Sequence, residues 1–206
     1  MKRIIIDRVK GGKMKRRGLV IVIGFLFLVM ATVDLALIVK HYTEARELGM
    51  ARTQHTISEQ QKLTEQKEKL SEWVYQRSEK ISKKVAREIV DASYSYSNAL
   101  LLLAIFEVES NFIPSAMSGK GARGLGQVHW PSHNKTLTET GICKQERDLF
   151  DVETNVKASH LILVDMLNRS DRDVIKALRL YLGGRDGAYT MRILNNYVQL
   201  SMLTGT

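Results

Sequence analysis

The sequence predicts an all-α protein, on three observations. Residues 18–39 form one apolar stretch with Asp34 as its only charge, residues 41–89 contain no proline and a single glycine among many Glu, Gln, Lys, Arg and Ala residues, and the remainder breaks into short segments whose apolar residues recur at helical spacing. No strand-length segment of alternating polarity competes with these.

The 206 residues leave room for one catalytic core and some accessory sequence. The single cysteine, Cys143, cannot form an internal disulfide, and with the five histidines it makes no cluster of metal-ligand spacing, so neither a metal nor a cofactor is expected. The net charge of +9 is concentrated at one end: residues 1–17 carry eight Lys or Arg against Asp7, which is +7, and leaves +2 for the rest. That distribution argues against nucleic acid as a partner and reads as a topology signal for a basic cytoplasmic tail over residues 1–17.

Residues 18–39 are predicted to be a transmembrane helix. Their 22 positions hold one charge, Asp34, and at about 1.5 Å per residue they span the roughly 30 Å of a hydrocarbon core. A cleavable signal peptide is the alternative, since Val29-Met30-Ala31 is a passable cleavage site behind a basic leader. The apolar run continues past it to Val39, which favours an uncleaved anchor. Residues 40–72 balance six Lys or Arg with six Glu, so the charge asymmetry keeps the N-terminus in the cytoplasm and places everything after Val39 on the periplasmic or extracytoplasmic side.

Residues 40–77 are expected to form a helical stalk. Leu63 and Leu70 are seven apart, but Arg77 takes the next place in that register, and Gln66 and Trp73 fill the companion positions poorly. Self-association, or assembly into a larger envelope-spanning complex, would use this surface; a solvated spacer fits the composition better.

The folded domain is expected over residues 78–206. Ile81, Val85 and Ile89 make one apolar stripe, Ser97 or Asn98 can cap a second helix that is apolar from Ala99 to Ile105, and Asp151 can cap a third carrying Val156, His160, Leu163, Val164 and Leu167. Asp171 is read as the start of a fourth, ended by the turn at residues 183–187, and Tyr189, Ile193, Tyr197 and Leu200 mark the last. Between the second and third helices, residues 111–133 read as a loop rich in Gly, Ser and Pro, followed by a polar connection to Phe150.

Glu109 is the candidate catalytic residue. It ends the apolar helix, with Leu102 and Ile105 on its face, and opens into the Gly-rich loop, a setting in which burial can keep a carboxyl protonated. Glu107 points about 200° away and reads as solvated or structural.

The segment that follows, Glu109-Ser110-Asn111-Phe112-Ile113-Pro114-Ser115-Ala116-Met117-Ser118 and then Gly121-Ala122-Arg123-Gly124-Leu125-Gly126-Gln127, closely resembles the signature ESxFxPxAxSxxGAxGLxQ of the SLT-type lytic transglycosylases of the lysozyme-like superfamily. Asn155 and the segment from Ala177 through Tyr181 to Gly184 resemble the family's later landmarks, in order. Two positions depart from the pattern: Gly126 stands where the family usually has methionine, and Leu182 where it has asparagine after the tyrosine.

The resemblance implies a lysozyme-like helical fold and non-hydrolytic cleavage of the β-1,4 bond between N-acetylmuramic acid and N-acetylglucosamine in peptidoglycan. Glu109 would be acid and then base, leaving 1,6-anhydromuramic acid ends. Ser118, Gln127 and Tyr181 would contact substrate; Gly124, Leu125, Trp130 and Asn155 are further candidates for substrate contact, although Gly124 more readily serves to shape the backbone and Asn155 the structure. His133 reads as a loop residue. Two alternatives remain: a hydrolytic muramidase on the same fold, with Asp148 or Asp151 supplying a second carboxylate, and an inactive wall-binding scaffold of a secretion, conjugation or phage-entry machine.

Overall fold

A computed structural model describes residues 10–184 and 187–205, with side-chain surroundings from residue 20 onward. Most of the predicted basic tail, and Arg185 and Asp186 of the predicted turn, lie outside these. The fold is all-α, as the sequence predicts, with only two two-residue strands among the described residues. The chain divides into two compact units, Met1–Gln60 and Gln61–Thr206.

Among the described residues of the first unit the chain is one helix, the beginning of α1 (Lys10–Arg77). Val20, Ile21, Phe25, Phe27 and Leu28 are exposed, as are the other large apolar residues up to Val39. The helix is long and apolar enough to cross a membrane.

The second unit opens with the last turns of α1. The sequence reading started the folded domain at Ser78, but Leu70 and Val74 are fully buried in its core and the compact unit starts at Gln61. Gln66 donates to the Thr204 carbonyl at 2.8 Å, and Lys67 pairs with Asp91 at 2.9 Å. In the register of Leu63, Leu70 and Arg77, weighed as a seam for a second copy, Leu70 and Arg77 are taken up by the chain's own domain. Burying each of the two core side chains contributes about 1.5–3 kcal/mol, which is why this stretch is not a free spacer.

Four further helices follow the predicted pattern. α2 (Lys83–Ser93) is capped by Ser82, whose hydroxyl accepts from the Val85 amide, and buries Ala86, Ile89 and Val90. α3 (Ala99–Ser110) is apolar nearly all round and is accordingly the central, buried helix, packed against α7, α2 and α5. α5 (Val152–Arg169) is capped by Asp151 as expected, and α7 (Gly187–Thr204) closes the domain.

Three local expectations are corrected. β1 (Ala122–Arg123) and β2 (Val128–His129) pair antiparallel inside the Gly-rich loop, with Ala122 opposite His129 and Arg123 opposite Val128. The supposed polar connection contains α4 (Trp130–Glu139), started by Pro131 in its first turn and held down by one fully buried side chain, Leu137. α6 (Val174–Tyr181) is capped by Asp173 rather than started at Asp171, because Asp171 and Arg172 take left-handed φ of 52° and 64° and form the turn before it.

Candidate active site

Glu109 sits one residue before the end of α3, half-buried. The helix stops there because Asn111 and Phe112 both take left-handed φ, 51° and 59°. Such a conformation costs a bulky L residue about 1–2 kcal/mol, offset here by full burial of the Phe112 ring and its edge contact with Trp73, centroids 5.9 Å apart.

The loop beyond is folded back and pinned. The Gly124 amide donates to the Ala116 carbonyl at 2.8 Å and the Ser118 amide to the Ala122 carbonyl at 3.0 Å. Arg123 pairs with Glu146 at 2.7 Å.

Asn155 is the clamp that brings this loop to α5. Its side chain is 1 % exposed. Nδ2 donates to the carbonyls of Arg123 at 3.0 Å and Leu149 at 2.7 Å, and Oδ1 accepts from the Gly126 amide at 2.9 Å and the Ser159 hydroxyl at 3.3 Å. Every hydrogen-bonding position of the amide is used, so Asn155 positions the loop and has nothing left to offer a ligand. Gly124, at φ 71°, lies so close that an added Cβ would overlap Asn155 Nδ2 and the Leu149 carbonyl. Leu125 is fully buried. The structure places these three candidates for substrate contact inward: Gly124 and Leu125 within the loop, and Asn155 on α5, from which it holds the loop.

Tyr181, the last residue of α6, reaches into the same place. Its hydroxyl donates to the Gly126 carbonyl at 3.0 Å. Burial pushes its phenol well above the usual tyrosine range, a hydrogen bond with Ser159 opposes this, and the nearby Glu109 charge adds to the rise. Glu109 and Tyr181, 72 positions apart in the chain, thus share one electrostatic environment. Gly126 explains itself by the same geometry: a Cβ there would overlap the Ser159 hydroxyl and press on the Tyr181 oxygen. Leu182 belongs to the core. Ser159 was not singled out from sequence, although it stands four residues after Asn155, on the same helical face.

Ser118 and Gln127 keep partial capacity. The Ser118 hydroxyl oxygen accepts from the Ala122 amide at 3.0 Å and the Lys120 amide at 3.3 Å, which ties the turn and leaves its proton to donate. Gln127, at φ 47°, donates Nε2 to the carbonyls of Gly124 at 3.0 Å and Ala116 at 3.3 Å, which leaves its side-chain oxygen as an acceptor. Trp130 is half-buried against the core at the start of α4. His133 is also half-buried, and burial pushes its imidazole pKa down.

Residues 110–138 contain no carboxylate at all. The two proposed sources of a second one are engaged elsewhere: Asp148 accepts from the amides of Lys144 at 2.8 Å and Gln145 at 3.1 Å, which holds its carboxyl below the usual range, and Asp151 accepts from the Thr154 amide at 2.9 Å and hydroxyl at 2.7 Å. Among the described residues no group of three His, Cys, Asp or Glu side chains could hold a metal ion.

Residues 89–191 match the family described as Transglycosylase SLT domain, which is half of the chain and includes the whole segment from Glu109 to Tyr181. No curated protein and no solved structure matches the chain.

Proposed function

The chain belongs to the SLT transglycosylase domain family, and on that premise we propose that it is a membrane-anchored peptidoglycan lytic transglycosylase in which Glu109 is acid and then base. The observation that carries the reading is that Glu109, near enough to the Tyr181 phenol for its charge to act on it, stands in a site whose loop brings no second carboxylate. A glycosidase with two catalytic carboxyl groups holds them about 5–9.5 Å apart; with one, the substrate's own acetamido group is the available nucleophile.

In the proposed reaction the Glu109 proton passes to the glycosidic oxygen as the bond from that oxygen to C1 of muramic acid breaks. The acetamido oxygen closes on C1. The Glu109 carboxylate then removes the proton of the C6 hydroxyl, whose oxygen displaces the acetamido oxygen at C1 and closes the 1,6-anhydro ring. Tyr181 and the free positions of Ser118 and Gln127 line the place where the reacting sugar would lie. Residues 18–39 would cross the cytoplasmic membrane with the basic tail inside, leaving the catalytic domain next to its polymer.

Replacing Glu109 by Gln keeps shape and hydrogen bonding but removes the transferable proton. Turnover of purified peptidoglycan should fall by about 10² to 10⁴ with the helical content unchanged. Mass spectrometry of wild-type fragments should show anhydromuramic ends, lighter by one water than hydrolysis products; reducing ends alone would support a muramidase instead.

A further inference from the structure

The last turns of α1 touch the chain on both sides of Glu109, on α3 before it and just beyond the end of α3 after it. Upstream, Arg77 Nη1 donates to Glu107 Oε1 at 2.8 Å, while its Nη2 reaches Gln199 Oε1 on α7 at 2.8 Å and its guanidinium lies 4.4 Å from the centre of the Trp73 ring. Downstream, the same Trp73 ring meets Phe112 edge-on. Glu107 is only 13 % exposed, its Oε2 is buried without a partner, and burial pushes its carboxyl above the usual range against the pull of Arg77 and Arg192.

This arrangement is more than the burial of a helix end. An ion pair with one partner this enclosed is weak evidence of stability, since desolvation of Glu107 offsets much of the attraction. What it does supply is direction: two long side chains fixed in one geometry, on the residue two before Glu109, and an aromatic edge on the residue three after it. The segment between is short, ends a helix, and runs into two left-handed residues, so without these holds its terminal turn would fray.

We propose that Trp73 and Arg77 are positioning residues for the reaction, a clasp through which α1 fixes the orientation of the Glu109 carboxyl. The proposal rests on the catalytic reading of Glu109. It makes α1 part of the catalytic unit rather than only its tether. A misplacement of about 1 Å at a reacting group can cost up to 10²-fold in rate, so the clasp acts on turnover and not on substrate affinity.

The test uses the full-length chain in detergent and soluble, uncrosslinked peptidoglycan strands, with Arg77→Gln, Glu107→Gln, the double variant, Arg77→Lys and Glu109→Gln side by side. Arg77→Gln and Glu107→Gln should each lower kcat about 10-fold or more with KM within about 2-fold, and the double variant should be no slower than the slower single, because both act through one pair. Arg77→Lys, which keeps the charge opposite Glu107, should recover part of kcat. Should Arg77→Gln not fold, Arg77→Met, which keeps an apolar stem over Trp73, takes its place. Wild-type kcat in these variants while Glu109→Gln is inactive overturns the clasp alone, as does a loss confined to KM or a double variant whose losses multiply. Activity persisting in Glu109→Gln overturns the catalytic reading and the clasp with it.

Discussion

The Asn155 carboxamide accepts the Gly126 amide proton at 2.9 Å while the Tyr181 hydroxyl donates to the carbonyl of the same glycine at 3.0 Å, so the two peptide groups flanking one loop residue are gripped from α5 and from α6 at once. The loop is therefore held by side chains outside it as well as by its own hydrogen bonds.

Replacing Asn155 by Ala removes four hydrogen bonds and leaves two carbonyls and an amide proton without partners in a buried place. Each such orphan costs about 1–3 kcal/mol, so thermal unfolding should show a loss of at least about 2 kcal/mol, together with loss of activity. A variant with wild-type melting and turnover would show that the loop holds itself.

A side chain at position 126 overlaps the Ser159 hydroxyl most and the Tyr181 hydroxyl next, and must displace both. Gly126→Ala should lower activity strongly, and the double variant Gly126→Ala, Ser159→Gly, which clears the nearest overlap, should recover much of it. Equal activity in Gly126→Ala and the wild type would mean that the Tyr181 hydroxyl has no need of its place.

Truncation separates the two compact units. A chain of residues 61–206 should fold and melt cooperatively, whereas residues 78–206 lack Leu70 and Val74 and should be less stable by several kcal/mol at about 1.5–3 kcal/mol for each buried side chain. Circular dichroism melts of both decide it, and equal midpoints would return the last turns of α1 to the role of spacer.

Burial, with a smaller contribution from Asp148, pushes the Cys143 thiol up to about 11 from a usual value of 9. The native thiol should therefore resist a disulfide reagent at pH 8 and react at once when unfolded. Because the folded state holds the proton more tightly, this group's contribution to stability is complete below pH 9 and lost as pH rises toward about 11. Equal melting temperatures at pH 8 and pH 11 for the wild type and Cys143→Ala, relative to each other, would remove the effect.

Sequence carried the helices wherever an apolar stripe or a capping side chain announced them, as with Asp151 before α5 and the fully apolar run of α3. It lost α4, whose segment is polar and buries one leucine, although Trp130-Pro131 gave a start signal. It misjudged residues 61–77 because a heptad test asks about a second copy, while Leu70, Trp73 and Val74 face this chain's own core. At the site, the motif pointed to Glu109 and Tyr181, but spacing alone cannot separate a residue that faces a ligand from one that faces the backbone. Leu125 differs from Ser118 and Gln127 only in which way the folded loop turns it, and Asn155 is used up from α5 in holding that loop.

The chain has two tryptophans, and the fold stations them at the two borders of this region: Trp73 under the Arg77 guanidinium and beside Phe112, Trp130 at the head of the helix that follows the loop. Intrinsic fluorescence is thus a built-in optical gauge. With Trp130 replaced by Phe, the remaining emission comes from the α1–α3 junction alone; with Trp73 replaced by Phe, it comes from the loop side. The protein can be watched, unlabelled, for which border responds first when glycan is added.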